Sequence, residues 1–382
     1  MSKILYIHNT NLSTKTANLT QVISMCNAFC EAGKSTTLLL PRNKNINEEE
    51  SVLTLRKNFR VHEDLSIQTF VNTYNSYKLN KNLNFLRLFK VLRKRRQVDE
   101  VIFVRNVLYL IAAVFSRKKV IYESHNTLVH NGSSAYNFIL EKILIYLSKK
   151  KNLVLFVSIS ENLNQFWLKK GIPAHKSVAL HDGFDTKAYE GIPISNNTFI
   201  PKTDKPTAVY TGNIHPNRGI KYIIELARIC KNVDFYVVGG PDSFVNDYKS
   251  QYNLDEIRNI TFLGSVPHID IVQYQNDADI LLAVWSKEVP TINYCSPLKL
   301  FEYMACGKPI LAFGYPTIRE VLEDNKTGYI CEPDSVPDML VKMDEITRDF
   351  EKAKSIGENA KKVALLNYSW LTRVKEIDKY LK

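Results

Sequence analysis

Residues 296–310 read SPLKLFEYMACGKPI. Ser296 and Pro297 are the residue types that open helices, serine as an N-cap and proline at the first helical position. Leu298, Phe301 and Ala305 then recur at helical spacing and form a core-facing stripe, while Lys299, Glu302 and Cys306 fall on a different face. The plain reading of Lys299 and Glu302 is a surface i,i+3 ion pair giving about 0.2–0.5 kcal/mol. The alternative is a ligand site. A helix N-terminus with a lysine in its first turn suits a diphosphate, and a carboxylate one turn deeper can accept from two adjacent hydroxyls, such as those of a ribose.

The segments before this helix favour the second reading. TAVYTG leads to Gly212 and Asn213, then Arg218-Gly219 opens a helix over 219–231; Arg218 supplies a second cation. VDFYVVGG ends in Gly239-Gly240, where a backbone without Cβ permits close approach of a ligand. ITFLG leads to Ser265, Val266 and Pro267, and ADILLAV and KPILAFG complete a set of strands ending in small or polar residues.

The first half alternates in the same way. KILYIHN, STTLLLP, VIFVR, KKVIYES and NLVLFVSIS read as strands, and NLTQVISMCNAFCEAGK reads as a helix with a glycine stop. Strands alternating with helices predict parallel sheets covered on both faces. The stretch 182–206, rich in Pro, Gly, Asn and Asp, reads as a linker between two such units. Ligands then belong at the carboxyl ends of the strands.

The 382 residues are 45% hydrophobic and 24% charged, an ordinary globular balance. No apolar run has transmembrane length. The start, MSKILYIHN, reads directly as a strand rather than a signal peptide. Six cysteines without a CxxC pair fit a reducing, cytoplasmic setting, not a disulfide scaffold or a zinc site. Of the net charge of +12, residues 1–190 hold 28 basic and 14 acidic side chains, so the excess sits wholly in the first half. That asymmetry points to an acidic partner. Within it, residues 78–96 (KLNKNLNFLRLFKVLRKRR) place Phe85, Leu88, Phe89 and Leu92 on one helical face flanked by basic side chains. Such a helix either packs on the core with a solvated basic face or lies on an anionic membrane surface. No nucleic-acid-binding motif accompanies the charge.

YTGNIHPNRGIKYIIELA, FYVVGG, ITFLGSVPHIDIVQYQNDADILLAV, SPLKLFEYMACGKPILAF and IREVLEDNKTGYICEPD, in that order, resemble glycosyltransferase family 4 over most of residues 205–335. YESHN, VSIS and LHDGFD extend the likeness into the first half. NYSWLTRVKEIDKYLK resembles the family's last helices, which cross back onto the first domain. The resemblance implies an α/β GT-B fold of two facing Rossmann-like domains with an interdomain cleft. Its parts would be an acceptor-side domain over 1–185, a nucleotide-sugar-binding domain over 186–365 and a returning helix over 366–382.

The activity so implied is retaining transfer of a hexosyl group from a UDP- or GDP-sugar to a glycan or lipid-linked acceptor in polysaccharide synthesis. It needs no metal or other cofactor, and the enzyme is cytoplasmic or peripheral at the inner face of the membrane. By position, Glu302 holds the donor ribose, Arg218 and Lys299 the diphosphate, and Val266 and Pro267 read the base with their backbone. Gly212, Asn213, Gly239, Ser296, Pro297 and Leu298 line the nucleotide, and His125 lies near the donor sugar and phosphate. His125, Arg218 and Lys299 are the candidate catalytic residues.

The chain departs from the family at three places. Tyr294 stands where many members have a glutamate against sugar hydroxyls, Asn213 where an arginine is common, and NTNLSTKTAN where a glycine pair is frequent. Two other readings follow from these departures and the shared fold: a catalytically silent scaffold, or an epimerase or phosphorylase of the same fold. Asp277-Ala278-Asp279 matches the DxD of metal-dependent glycosyltransferases but reads as a helix-to-strand turn. Arg105 and Ser160 sit at strand edges like that of His125, and Glu320 reads as an exposed helix residue.

Overall fold

A computed structural model describes residues 3–9, 17–72, 77–95, 99–128, 135–189 and 198–381. The chain divides into two compact units, Met1–His181 with Trp370–Lys382, and Asp182–Ser369. Most of the loop NTNLSTKTAN, parts of the 78–96 segment and residues 190–197 of the linker lie outside the described residues.

The first unit is a sheet of seven parallel strands: β1 (Lys3–Ile7), β2 (Thr36–Arg42), β3 (Ser66–Val71), β4 (Glu100–Val104), β5 (Val120–Ser124), β6 (Leu153–Ser158) and β7 (Ser177–Ala179). Their order is β3-β2-β1-β4-β5-β6-β7. Its central strands are buried on both faces, which is why they read as unbroken apolar runs. Tyr6 stacks on Phe103 at 4.6 Å between neighbouring strands.

The second unit has six parallel strands: β8 (Thr207–Thr211), β9 (Asp234–Val238), β10 (Ile260–Gly264), β11 (Ile280–Ala283), β12 (Ile310–Phe313) and β13 (Tyr329–Cys331). The order is β10-β9-β8-β11-β12-β13. The chain runs outward from β8 to β10 and then returns to β11, so the strand order reverses between β8 and β11. A crevice at the carboxyl ends of the strands forms at such a reversal.

Helix Leu298–Cys306 follows β11, and Leu300, Phe301, Tyr303, Met304, Ala305 and Cys306 are buried. It is therefore enclosed on most sides rather than along one stripe. Ser296 is not its cap: Pro297 holds the cap position without a side-chain bond. The Ser296 hydroxyl instead accepts from the Asp182 N–H at 2.8 Å, so a partner 114 residues away in sequence takes the group that local spacing assigns to the helix.

Helix Tyr77–Lys94 turns Leu88 and Leu92 into the first unit, leaves Phe85 and Phe89 half-buried, and exposes Lys90, Arg93 and Lys94. One described face of this helix thus packs on the core while the other presents basic side chains. Helix Trp370–Asp378 packs on helix Ala17–Glu31 within the first unit.

Candidate functional site

Strand β8 ends in a tight arrangement of backbone. Gly212 has φ +135°, and its carbonyl oxygen lies 1.7 Å from where a Cβ on Gly239 would sit, so no other residue fits at 239. The Tyr210 hydroxyl donates to the Asn213 carbonyl at 2.8 Å and pins this turn. Farther along, Pro216–Arg218 make one turn of 3₁₀ helix. Gly219 (φ +84°) then brings the chain so close to the Trp285 backbone that a Cβ would approach it to 3.0 Å. Helix Ile220–Ile229 starts from that glycine without a side-chain cap.

Lys299 rises from the first turn of helix Leu298–Cys306 into this corner. Its Nζ lies 3.7 Å from the centroid of the Tyr210 ring and 5.3 Å from that of Trp285. A Cβ on Gly212 would stand 3.1 Å from it. Burial, and then the Arg218 charge, push its ammonium well below the usual lysine range, while Glu302 opposes the shift.

Lys299 and Glu302 form no ion pair. Among the described residues neither Lys299 nor Arg218 has a carboxylate within salt-bridge distance. Two cations thus share a corner in which, among the described residues, neither has an ion-pair partner, an arrangement that favours an incoming anion.

Glu302 is held separately. Gln275, fully buried on helix Ile271–Asp277, donates from Nε2 to the Glu302 Oε2 at 3.2 Å and to the Thr211 Oγ1 at 3.1 Å. The Tyr189 hydroxyl donates to the Gln275 Oε1 at 2.7 Å and fixes which way the amide points. The Thr211 N–H donates to the Tyr303 hydroxyl at 2.8 Å, tying the end of β8 to the same helix. Gln275, Tyr303, Thr211 and Tyr189 are supports that the sequence reading missed. A lone glutamine in IVQYQND carries no signal of burial.

After β10, Asp242 accepts from the Ser265 N–H at 3.0 Å, and the Pro267 carbonyl accepts from Asp270. Val266 is half-buried on the core and Pro267 exposed. Tyr294 is half-buried at the end of a turn in which its N–H donates to the Thr291 carbonyl. Gly212, Arg218, Gly239, Lys299 and Glu302 therefore gather at the carboxyl edge of the six-stranded sheet.

Asp277 and Asp279 sit at the opposite edge. Asp279 accepts from the N–H and hydroxyl of Thr207, at the start of β8, at 2.9 and 3.1 Å. Asp277 accepts from the Phe199 N–H at 2.6 Å and from Gln273 at 2.7 Å. Both carboxylates are committed to holding backbone and neighbours together. Glu320 is half-buried just beyond helix Pro316–Arg319, less exposed than its sequence setting implies.

His125 lies in the first unit, just past β5. Its Nε2 is 2.6 Å from the Glu123 Oε1 and its Nδ1 2.9 Å from the Arg105 Nη2. Because a guanidinium only donates, Nδ1 is the acceptor and Nε2 carries the proton. Burial, and then the Arg105 charge, push this imidazole down to about 4, so it is neutral near pH 7.

Glu123 is buried and also pairs with Arg373 at 2.6 Å; Arg373 donates in turn to the Leu180 carbonyl at 3.0 Å. These cations, Arg373 foremost, hold the Glu123 carboxyl far below the usual range against its own desolvation, which is the largest single influence and acts upward. Arg105 also donates to the Gln21 Oε1 at 2.7 Å. His8, fully buried beside this network, leaves both ring nitrogens without a partner. Ser160 caps helix Glu161–Lys170 and is structural. The signal for Glu123 was present in the sequence: a carboxylate inside VIYES, within a buried strand, requires a cation.

Residues 194–363 match the model of the family described as glycosyl transferases group 1. Among curated relatives, the chain is 22% identical over 174 residues to alpha-D-kanosaminyltransferase of Streptomyces kanamyceticus, covering 44% of this chain and 42% of that protein. It is 22% identical over 175 residues to the GDP-mannose-dependent alpha-(1-6)-phosphatidylinositol monomannoside mannosyltransferase of Mycolicibacterium smegmatis, covering 44% and 46%. The matches span less than half the length of these relatives. The solved structure of HepE from Anabaena in complex with UDP and glucose superposes with a TM-score of 0.73 at 16% identity, covering 100% of this chain and 99% of that one. The chain therefore has the GT-B fold, with a second unit whose sequence matches the group 1 glycosyl transferases.

Proposed function

We propose that the chain is a retaining glycosyltransferase that moves a hexosyl group from a UDP- or GDP-sugar to a hydroxyl of a glycan or lipid-linked acceptor. One observation carries this reading: the Lys299 ammonium and the Arg218 guanidinium share the carboxyl edge of the second sheet without a carboxylate partner, one turn from a fixed Glu302. A nucleoside diphosphate supplies both missing pieces, anionic oxygens for the cations and two adjacent ribose hydroxyls for Glu302.

In the reaction, the bond from the sugar anomeric carbon to the diphosphate oxygen breaks, and the acceptor oxygen bonds to that carbon on the same face. The acceptor proton passes to the departing diphosphate. Negative charge grows on the leaving group, and preformed cations stabilise it most at the transition state. Lys299 and Arg218 supply that charge, so the transfer proceeds without a metal ion. HepE, whose structure holds UDP and glucose, supports a nucleotide-sugar donor.

The test is release of nucleoside diphosphate from a panel of UDP- and GDP-sugars with and without mixed glycan acceptors, the anomer of the product read by NMR. Lys299→Ala is expected to lower kcat by about 10²–10³, and EDTA to leave the rate unchanged. An inverted product, or a rate abolished by EDTA and restored by Mn²⁺, contradicts the mechanism. Nucleotide binding without turnover on any acceptor favours a silent scaffold, the reading that Tyr294 supports. Conversion or phosphorolysis without acceptor favours an epimerase or phosphorylase.

A further inference from the structure

Lys299 and Glu302 stand three residues apart on helix Leu298–Cys306, the spacing at which opposite charges pair along a helix face. They form no pair, and each is drawn the other way. The Lys299 Nζ lies over the Tyr210 ring. The Glu302 Oε2 accepts from the Gln275 Nε2 at 3.2 Å.

The polarity of that contact is fixed along a row of side chains. A carboxylate only accepts, so the Gln275 amide must turn its NH₂ group to Glu302 and to the Thr211 Oγ1. Its oxygen then faces the Tyr189 hydroxyl at 2.7 Å and the Cys306 thiol at 3.9 Å, and both donate to it. Burial, and then the Glu302 charge, hold the Tyr189 phenol well above its usual range, so it stays a donor. Gln275 is fully buried, and Tyr189 ends helix Thr186–Tyr189, so the row joins three segments of the second unit. Among the described residues the other carboxylate oxygen, Oε1, accepts from nothing.

We infer that Tyr189 and Gln275 are positioning residues that keep Glu302 off Lys299, leaving the carboxylate open to ribose hydroxyls and the lysine open to the diphosphate. The inference rests on the donor-site reading proposed above. An ion pair formed in the empty site would have to be broken by every incoming nucleotide. A neutral amide holds the carboxylate without cancelling its charge, which a cation in the same place would do. Preference for ribose over deoxyribose, and part of the affinity for the diphosphate, then depend on two side chains that touch neither.

The experiment is calorimetric measurement of Kd for UDP, GDP, their deoxyribose counterparts and inorganic pyrophosphate, on the full chain and its variants. The native chain is expected to prefer one ribonucleotide to its deoxy counterpart by about tenfold or more, as for a hydrogen bond to a charged group. Gln275→Leu lets Glu302 turn onto Lys299. It is expected to cut that preference below about threefold and to weaken pyrophosphate by about two- to fivefold, the strength of a helical or exposed ion pair. Adding Glu302→Gln to Gln275→Leu removes the competing carboxylate and returns pyrophosphate to at least its native affinity, while the ribose preference stays lost. Damage to the fold alone is not repaired by a second loss. Tyr189→Phe deletes one hydroxyl and shifts both readouts the same way by less; it decides the matter if Gln275→Leu does not fold. The inference is overturned, with the donor site left standing, if the variants keep the native ribose preference or if Glu302→Gln fails to restore pyrophosphate. A native chain that binds neither a nucleoside diphosphate nor pyrophosphate overturns the donor-site reading itself, and this inference with it.

Discussion

The two units each gather cations at the carboxyl edge of their sheet, and they treat them in opposite ways. In the first, Arg105 and Arg373 converge on the buried Glu123, so both guanidinium charges meet a carboxylate within the unit. In the second, Lys299 and Arg218 share a corner in which no carboxylate of the described residues lies within salt-bridge distance of either. The contrast runs against net charge, because the strongly basic half holds the compensated cluster and the nearly neutral half the uncompensated one. Total charge describes the surface; a ligand site for an anion is marked by charge left unanswered locally.

The sharpest way to break this comparison is to remove one charge from the first cluster. Arg373→Ala leaves Glu123 buried with less of its compensation and is expected to destabilise the chain by about 3–5 kcal/mol, read as the urea midpoint. A change under about 1 kcal/mol, the size of a surface pair, would mean that the cluster is not the closed ion network described.

A smaller effect follows from pH. His125 titrates near 6.5 in an unfolded chain and about 4 in the folded one. As pH falls from 6.5 towards 4, the unfolded chain takes up a proton that the folded one refuses, so stability falls; above 6.5 the group contributes no slope. The loss from His125 is about 3 kcal/mol across that window. Buried His8, also held low, adds in the same direction, and below the ordinary carboxylate range Glu123 does as well. Urea midpoints from pH 7.5 to 4.5 are expected to drop, and His125→Gln to flatten the slope in part. A flat native profile would mean that His125 is protonated in the folded chain.

Much of this fold was legible in sequence because central parallel strands are buried on both faces and read as apolar runs. The strands left unread were β3, β7 and β13, all at sheet edges: β3 and β7 are mostly half-buried and so weakly patterned, and β13, though buried, is only three residues long. Lys299 and Glu302 were legible as a pair because a helix start fixes which residues share a face. Their supports were not. Gln275 reaches Glu302 from another helix, and Glu123 finds Arg373 250 residues along the chain; such partners exist only once the sheet has closed. Ser296 shows the converse, a correct local preference overruled by the Asp182 N–H.

The measurement closest to the central claim is thermal shift of the native chain and Lys299→Ala with UDP, GDP, their sugars and the bare nucleosides. One diphosphate at about 100 times its Kd should stabilise the native chain by about 2.7 kcal/mol, while its nucleoside does much less. Lys299→Ala should lose most of that shift yet unfold no more readily in the absence of ligand, since its loss leaves no buried carboxylate unpaired. If the variant is stabilised as much as the native chain, or if no diphosphate stabilises either, the uncompensated cations of the second unit are not a nucleotide site.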